Sequence, residues 1–182
     1  MVVVELLNTV WADRTGVHDA LATSDQARAW LAAHVPEDPD AVDVPDLRLL
    51  RDALRRLAAD LTGDPRPAHE GSTVPTRAAA VQVVDRLCAT APTWSALVWE
   101  QGAPPRREPR SDAQAGRVAL ASLAEQGVAL VTGEVELRAC LAPGCVLYFV
   151  RDHPRREWCS AGCGNRARVA RHYRRHHAPE AG

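Results

Sequence analysis

The feature that most constrains how this chain can fold is a group of four cysteines near its C-terminus. Cys140, Cys145, Cys159 and Cys163 follow the spacing C-x4-C-x13-C-x3-C. Two close pairs joined by a hairpin-sized insert supply the four thiolates that a structural Zn²⁺ binds in a tetrahedron. Residues 1–5 lack the basic segment of a secretory signal, so we expect a cytoplasmic location, where clustered cysteines bind metal. The pattern predicts one zinc ion per chain, held by all four cysteines.

Other interpretations of these cysteines stay open at this point. Two disulfides would need an oxidising compartment, and a redox-reactive pair would more usually be spaced C-x2-C. A catalytic zinc keeps one open coordination position, which four thiolates would close. His153, His172 or His176 can also replace one cysteine as a ligand. Cys88 lies on the apolar face of a predicted helix, so we interpret it as a buried free thiol.

The residues around the four cysteines predict a small zinc module. Residues 141–144 predict a tight turn, residues 146–150 a strand and residues 156–158 a returning strand. Asn165 is a good N-cap for a helix that runs from residue 166 to about residue 177. A knuckle, a β-hairpin and a helix in this order are typical of a treble-clef-like zinc finger.

The rest of the chain predicts a mainly α-helical domain. Apolar side chains recur at helical spacing in five segments, near residues 6–11, 24–35, 44–62, 76–90 and 111–126. We expect Ser24, Asp43 and Ser111 to cap three of these helices, and Gly63 to end the helix that Asp43 begins. The predicted buried face of that helix consists of Leu47, Leu50, Leu54, Leu57, Ala58 and Leu61.

Two further segments of this domain are less regular. Residues 93–100 predict either a short strand pair or a buried turn, and residues 102–110 predict a loop. Because the sequence changes character near residue 136, we divide the chain into a helical domain, 1–136, and a zinc-finger domain, 137–182.

The charges are divided in a similar way. The 182 residues contain 22 Arg, no Lys and 23 Asp or Glu, which gives a net charge of −1. Residues 1–150 hold 14 Arg against 20 acidic residues, a balance of −6, whereas residues 151–182 hold 8 Arg against 3, a balance of +5. A basic tail beside an acidic body indicates a chain that binds a polyanion. No apolar run approaches the ~20 residues of a membrane span.

The tail concentrates its arginines on one predicted helix. On a helical wheel of residues 166–177, Val169, Ala170 and Tyr173 share an apolar side suited to docking. The opposite side carries Arg168, Arg171 and Arg175, with Arg174 beside them. This ridge suits contacts to phosphates, although a solvated basic face, or one that packs against the acidic domain, would show the same pattern. Arg166 projects on the apolar side, and we interpret it and Asn165 as structural residues near the metal.

Residues 158–168, Trp-Cys-Ser-Ala-Gly-Cys-Gly-Asn-Arg-Ala-Arg, resemble the signature of the CGNR zinc-finger family. Cys140, Cys145 and the Tyr148-Phe149 strand match the same module. Segments 7–10, 19–21 and 29–31 resemble the helical ABATE domain that usually precedes this finger. The resemblance covers nearly the whole chain, and it implies a bacterial stress-induced transcription regulator whose zinc finger contacts DNA.

These observations favour a two-domain regulator in which Arg168, Arg171, Arg174 and Arg175 neutralise DNA phosphates. The helical domain then binds a small effector or a protein partner. The alternative is a protein-interaction module whose zinc finger is purely structural. No paired carboxylates, Ser/His/Asp order or phosphate-cradling Gly loop stands out, so enzyme activity is not expected.

The tryptophans bear on where an effector would bind. A ligand pocket lined by Trp11, Trp30, Trp94 or Trp99 is one hypothesis for the helical domain. Packing in the core explains the same side chains more simply.

Overall fold

The computed structural model describes residues 1–133 and 135–177, about half of which are helical. In these residues the helices are α1 (Val2–Leu7), α2 (Ser24–His34), α3 (Val44–Thr62), α4 (Arg77–Ala89), α5 (Ala115–Val131) and α6 (Ala161–His177). Three antiparallel hairpins pair β1 (Val10–Asp13) with β2 (Gly16–Asp19), β3 (Trp94–Val98) with β4 (Arg106–Arg110), and β5 (Leu137–Ala139) with β6 (Tyr148–Val150). The sequence predicted a mainly helical chain, and the structure is about half helical with small antiparallel sheets. Within the described ranges, no helix is long and apolar enough to cross a membrane.

Helix α3 is the centre of the core. Asp43 caps its start by accepting a hydrogen bond of 2.8 Å from the Asp46 N–H, and Gly63 ends it with a φ of 62°. Its apolar face packs against α1, α4, α5 and β5. The predicted cap and end of this helix are confirmed, and so is most of its buried face. Leu61, which was predicted on that face, is instead exposed because it lies in the last turn.

The zinc-binding segment shares this core. Leu137 of β5 and Tyr148 of β6 are buried in the same apolar cluster as the leucines of α3. The β5–β6 hairpin contacts both α3 and α1. The division of the chain at residue 136 stays a prediction, and residues 178–182 of the second predicted domain lie outside the described residues.

The first predicted helix is wrong beyond Leu7. Val10–Asp13 and Gly16–Asp19 form a hairpin, because Asp13 Oδ1 accepts the Thr15 N–H at 2.7 Å and Gly16 adopts a φ of 135°. The cap of α2 is Thr23 rather than Ser24. Gln26 completes a capping box with Thr23, a signal present in the sequence.

Later boundaries also differ from the predictions. Trp94–Val98 is a strand, as one of the two interpretations had it, but its partner is Arg106–Arg110, in the segment predicted as a loop. Helix α5 begins after Gln114 rather than at Ser111, because the Ser111 hydroxyl accepts the Ala113 N–H in a local turn. The returning strand predicted at residues 156–158 is wrong, since those residues form irregular structure.

Gly116 of α5 provides a test of how closely the helices pack. A Cβ added there would lie 1.8 Å from the Ala41 carbonyl oxygen, in the short 3-10 turn at Pro39–Ala41. The better helix propensity of Ala contributes only about 0.5–1 kcal/mol, so the clash decides the sign. We expect Gly116→Ala to lower the free energy of unfolding by about 2 kcal/mol, measured by chemical denaturation.

Gly162→Ala in α6 is the control for this substitution. Its added Cβ would meet nothing closer than the Ser160 Oγ at 3.8 Å, so we expect a change within about 1 kcal/mol. Equal effects of the two substitutions would contradict the packing described for α5.

Candidate metal centre and basic helix

The four cysteines that are distant in sequence converge on one point. Their Sγ atoms all lie within 4.8 Å of one another, with Cys145 3.8 Å from Cys159, and Cys159 3.3 Å from Cys163. Cys140, Cys145 and Cys163 are buried and Cys159 is half-buried. A Zn–S bond of about 2.3 Å places tetrahedral sulfur ligands about 3.8 Å apart, so the spacing fits one zinc ion. The sulfurs are too far apart for disulfide bonds, which rules out that interpretation in this structure.

The first pair of cysteines sits on a knuckle between β5 and β6. Cys140 follows β5, and its N–H donates to the Leu147 carbonyl at 2.9 Å. The turn closes through a 2.9 Å bond from the Cys145 N–H to the Ala142 carbonyl, with Gly144 at a φ of 71°. The sequence had predicted a β-hairpin that follows the knuckle. In the structure the two strands of the hairpin, β5 and β6, instead lie on either side of the knuckle.

The second pair of cysteines sits at the start of α6. This helix begins at Ala161, so the predicted cap at Asn165 is wrong. Ser160 has that place, because its Oγ accepts the Cys163 N–H at 3.2 Å. Cys163 thus lies in the first helical turn, where the helix dipole stabilises an anionic sulfur.

The thiols influence one another's ionisation strongly. The hydrogen bond from Cys145 lowers the pKa of Cys140 to about 4, and the same bond raises the pKa of Cys145. Burial raises the pKa of Cys159 to about 12. One thiolate therefore disfavours the next, and a divalent cation at the centre is what stabilises all four as thiolates.

Two arginines surround the sulfur cluster. Arg166 Nη2 donates to Cys163 Sγ at 3.0 Å. Arg156 donates to the Cys159 carbonyl at 3.2 Å and stacks over Phe149, with 5.2 Å between the guanidinium carbon and the ring centroid. Nothing in the sequence distinguished Arg156 from the other arginines. The Asn165 side chain is exposed.

The histidines lie apart from the cluster. Among the described residues, the four cysteines are the one set of three or more side chains placed to hold a metal. His153 accepts a hydrogen bond from the Arg155 N–H, whereas His172 and His176 pack on each other along exposed α6. Cys88 is half-buried against the core, and burial raises the pKa of its thiol.

The helical part of the chain holds the knuckle through Arg66. Arg66 donates to the carbonyl oxygens of both Cys140, at 3.0 Å, and Cys145, while its other nitrogens bond the Asp64 carboxylate at 2.6 and 2.7 Å. The Tyr148 hydroxyl donates to the same carboxylate at 2.8 Å. Burial acts to raise the pKa of Asp64, but the bonds from Arg66 and Tyr148 outweigh it and lower that pKa. The sequence predicted only a loop around Arg66, since the two carbonyls that it bonds lie more than 70 residues away.

Two further bonds join the same parts. Asn8 pairs with the backbone of Tyr148 in both directions, with two bonds of 2.9 Å. Arg55 donates to the carbonyls of Leu7, at 2.5 Å, and Val146, at 3.2 Å. The knuckle is thereby fixed to α1 and α3 by polar bonds as well as by the shared core.

The basic helix α6 projects from this base. Arg168, Arg171, Arg174 and Arg175 are all exposed, and in the described part of the chain none of the four forms an ion pair. The predicted docking of the apolar side is wrong for most of its length: Ala167 is buried, but Val169 and Tyr173 are 60% and 62% exposed.

Three of the four tryptophans considered above lie outside the core. Trp11, Trp94 and Trp99 are exposed; Trp94 is the first residue of β3, and Trp99 lies in the loop between β3 and β4. Trp30 is half-buried against the core. Packing in the core is therefore wrong for the three exposed side chains, and the pocket hypothesis stays a prediction.

Comparison with known families agrees with this architecture. Residues 1–134 match the ABATE model, described as "Putative stress-induced transcription regulator", and residues 136–176 match the CGNR zinc finger. Neither description names an enzymatic activity. No curated protein matches the chain. The four converging cysteines are the zinc site of this finger, with one Zn²⁺ per chain.

Removing a zinc ligand tests the metal site directly. We expect one zinc per chain in the wild type and, by metal analysis, its loss in Cys163→Ser. Chelation should disorder α6 and the knuckle, seen as lost helical circular dichroism, because this segment has a very small core. Cys88→Ser removes the one cysteine outside the cluster and should keep its zinc. Equal zinc loss in both variants would contradict the site.

Replacing Arg66 tests the bonds that hold the knuckle. Arg66→Gln leaves Asp64, whose side chain is 3% exposed, and two carbonyls without their partner. We expect the free energy of unfolding to fall by about 2–4 kcal/mol and zinc affinity to fall about 10- to 100-fold. Arg86→Gln, which breaks the half-exposed Arg86–Asp46 pair, is the control and should cost less than about 1 kcal/mol. Unchanged zinc affinity in Arg66→Gln would show that the knuckle does not need this support.

Proposed function

The chain belongs to the ABATE family, described as "Putative stress-induced transcription regulator", and carries a CGNR zinc finger. From this premise we propose that it is a transcription regulator that binds DNA through α6. The zinc finger, treble-clef-like in its knuckle and helix, holds the base of α6. Arg168, Arg171, Arg174 and Arg175 then contact phosphates, and the helical part receives a signal from an effector or a partner.

The observation that carries the proposal is the contrast between these four arginines and most others in the chain. Arg28, Arg51, Arg77 and Arg86, among others, are paired with carboxylates. The α6 arginines are exposed and form no ion pair in residues 1–133 and 135–177. Unpaired guanidinium groups along one helix attract a polyanion, because binding releases the counterions that surround it.

The zinc site supports this role by its rigidity. Zinc, when bound, cross-links the knuckle to the first turn of α6, and Arg66, Asn8 and Arg55 join the knuckle to the core. Arg166 bonds Cys163 and so is part of this base rather than of the basic surface. A helix fixed at one end presents its guanidinium groups in a defined register, which suits phosphate contacts and bidentate contacts to guanine.

A second candidate function has its own observation. Leu141, Val169 and Tyr173 are 55–62% exposed and line one shallow apolar groove with Trp158. Exposed apolar groups of this kind are found where proteins bind partner proteins. Under this alternative the zinc finger is purely structural, and α6 docks on a protein.

A salt titration of DNA binding separates the two candidates. Substitution of Arg168, Arg171, Arg174 and Arg175 with Gln should weaken binding to a mixed-sequence duplex at least about tenfold. The slope of log K against log salt should fall by about 3–4, close to 0.9 for each lost phosphate contact. Fluorescence anisotropy at four or five salt concentrations measures both quantities.

A matched control separates the loss of specific phosphate contacts from the change in net charge. Four other exposed arginines that form no ion pair among the described residues are Arg14, Arg107, Arg110 and Arg117. Their joint substitution with Gln changes the net charge equally and should leave the salt slope within about one unit of the wild-type value. If both quadruple variants behave alike, α6 is not the contact surface; if the wild type binds no DNA, the protein-interaction function is favoured.

A further inference from the structure

A cavity lies beside the contact between the helical part and the zinc finger. It has a volume of about 470 Å³, within the range of small-molecule sites. Its walls come from α3, the β1–β2 hairpin, the loop that follows α3 and the residues just after Cys145. None of the four tryptophans considered as pocket residues lines it.

The carboxylates of the cavity wall are already bonded to arginines, apart from one at its exposed edge. Asp64 is paired with Arg66, and Asp52 accepts from Arg51 Nε at 2.9 Å. Glu70 is exposed. Asp52 and Asp64 thus each have an arginine partner before any ligand enters, although Arg51 is shared with Asp19.

The cations of the wall are less well neutralised. Arg55 donates to two carbonyl oxygens and, in the described residues, has no carboxylate partner. Burial lowers the pKa of Arg55, yet an arginine stays charged in proteins. Arg56 pairs with Asp60 through Nη2, which leaves its buried Nε without a hydrogen bond among these residues.

His69 is the most unusual group in the wall. Its side chain is only 7% exposed, and neither ring nitrogen forms a hydrogen bond within the described ranges. Nε2 is 3.1 Å from Asp52 Oδ1 but is not aligned for a hydrogen bond. Burial lowers the pKa of His69, so the ring is neutral and offers one N–H donor. Buried donors without partners are rare in folded proteins, and here they line a space large enough for a ligand.

The remaining wall is mostly apolar, with Ser72 as a polar exception. Val10, Val74 and Val146 contribute to it, and Pro67 lies in the loop that crosses it. A ligand that fits must therefore combine an apolar body with one group that accepts hydrogen bonds from arginine and histidine. A carboxylate meets the second requirement, because guanidinium groups bind it with charge-assisted hydrogen bonds.

We propose that this cavity binds a small organic carboxylate with an apolar body. The anionic group accepts from Arg56 and His69, and the apolar body contacts the valines. Since Val146 and Tyr148 line the cavity and Tyr148 belongs to β6, an occupant contacts both the helical part and the zinc finger. The idea that the cavity is an effector site rests on the proposed function. The idea that it binds a carboxylate does not depend on that function.

Calorimetric titration of the full, zinc-loaded chain tests the binding site. Benzoate and hexanoate are the probes, benzyl alcohol and hexanol are their neutral counterparts, and acetate lacks the apolar body. We expect one carboxylate per chain, with the alcohols and acetate at least about tenfold weaker. No binding of either probe at about 10 mM, or alcohols that bind equally well, would overturn the proposal.

The structure offers a matched pair of variants for the same titration. Arg56 and Arg77 both pair with Asp60, but only Arg56 lines the cavity. Arg56→Gln should weaken benzoate binding about tenfold, and Arg77→Gln should stay within about twofold of the wild type. Thermal melts of both variants show that they fold, and His69→Phe, which removes the donor, should also weaken binding. Equal affinity in Arg56→Gln and Arg77→Gln overturns the assignment to this cavity.

A second measurement keeps the effector role separate from DNA binding itself. Repeating the DNA titration with saturating benzoate should shift the apparent Kd by about threefold or more. If the Kd for DNA is unchanged, benzoate is not an effector of DNA binding, and only the proposed carboxylate site remains. If the chain binds benzoate but no DNA at all, the regulator proposal fails while the cavity proposal holds.

Discussion

The bonds from Arg66 to the carbonyls of Cys140 and Cys145 are the interaction on which the rest of the structure depends. One guanidinium group joins a buried carboxylate of the helical part to both ends of the zinc knuckle. The metal holds the base of α6, and the two bonds from Arg66 hold the metal site. The cavity wall also follows from it, since Arg66 and Asp64 form part of that wall.

The zinc finger needs this support because it has little core of its own. The apolar cluster around the metal contains Ala142, Phe149 and three of the cysteines, whereas Tyr148 and Leu137 belong to the main core. A segment of this size gains too little from apolar burial to offset the loss of conformational entropy. Metal ligation and the polar bonds from Arg66, Asn8 and Arg55 compensate for the small core. The two family segments are therefore joined by a shared apolar core and by polar bonds.

The sequence predicted the metal site better than it predicted its surroundings. The cysteine spacing identified all four ligands, because ligand type and spacing are local signals. The cap at Asp43 and the end at Gly63 were predictable for the same reason. Ser160 and Thr23 were missed as caps, although Gln26 carried the capping-box signal for Thr23. The exposure of Val169 and Tyr173 was not predictable, since an apolar stripe does not say whether anything packs on it.

The bonds between the helical part and the zinc finger could not be predicted from local sequence patterns. Arg66 resembles every other arginine in a chain that has no lysine, and its partners are 74 and 79 positions away. Asn8 is 140 positions from Tyr148. Pairings of this range depend on the tertiary fold, as do the buried nitrogens of His69. The candidate cavity therefore became visible only in three dimensions.

The separation between Asn8 and Tyr148 also has a consequence for how the chain is made. The ribosome releases Asn8, Arg55 and Arg66 long before residues 140–148 emerge. Until then α1 and α3 lack the strand that covers them, and they expose part of the apolar surface that Leu137 and Tyr148 later bury. Contacts of such high contact order form late, and partly folded chains with uncovered apolar surface are prone to aggregate. Completion of the core thus waits for the segment that also carries the four zinc-binding cysteines, so zinc supply and folding yield are coupled in the newly made chain.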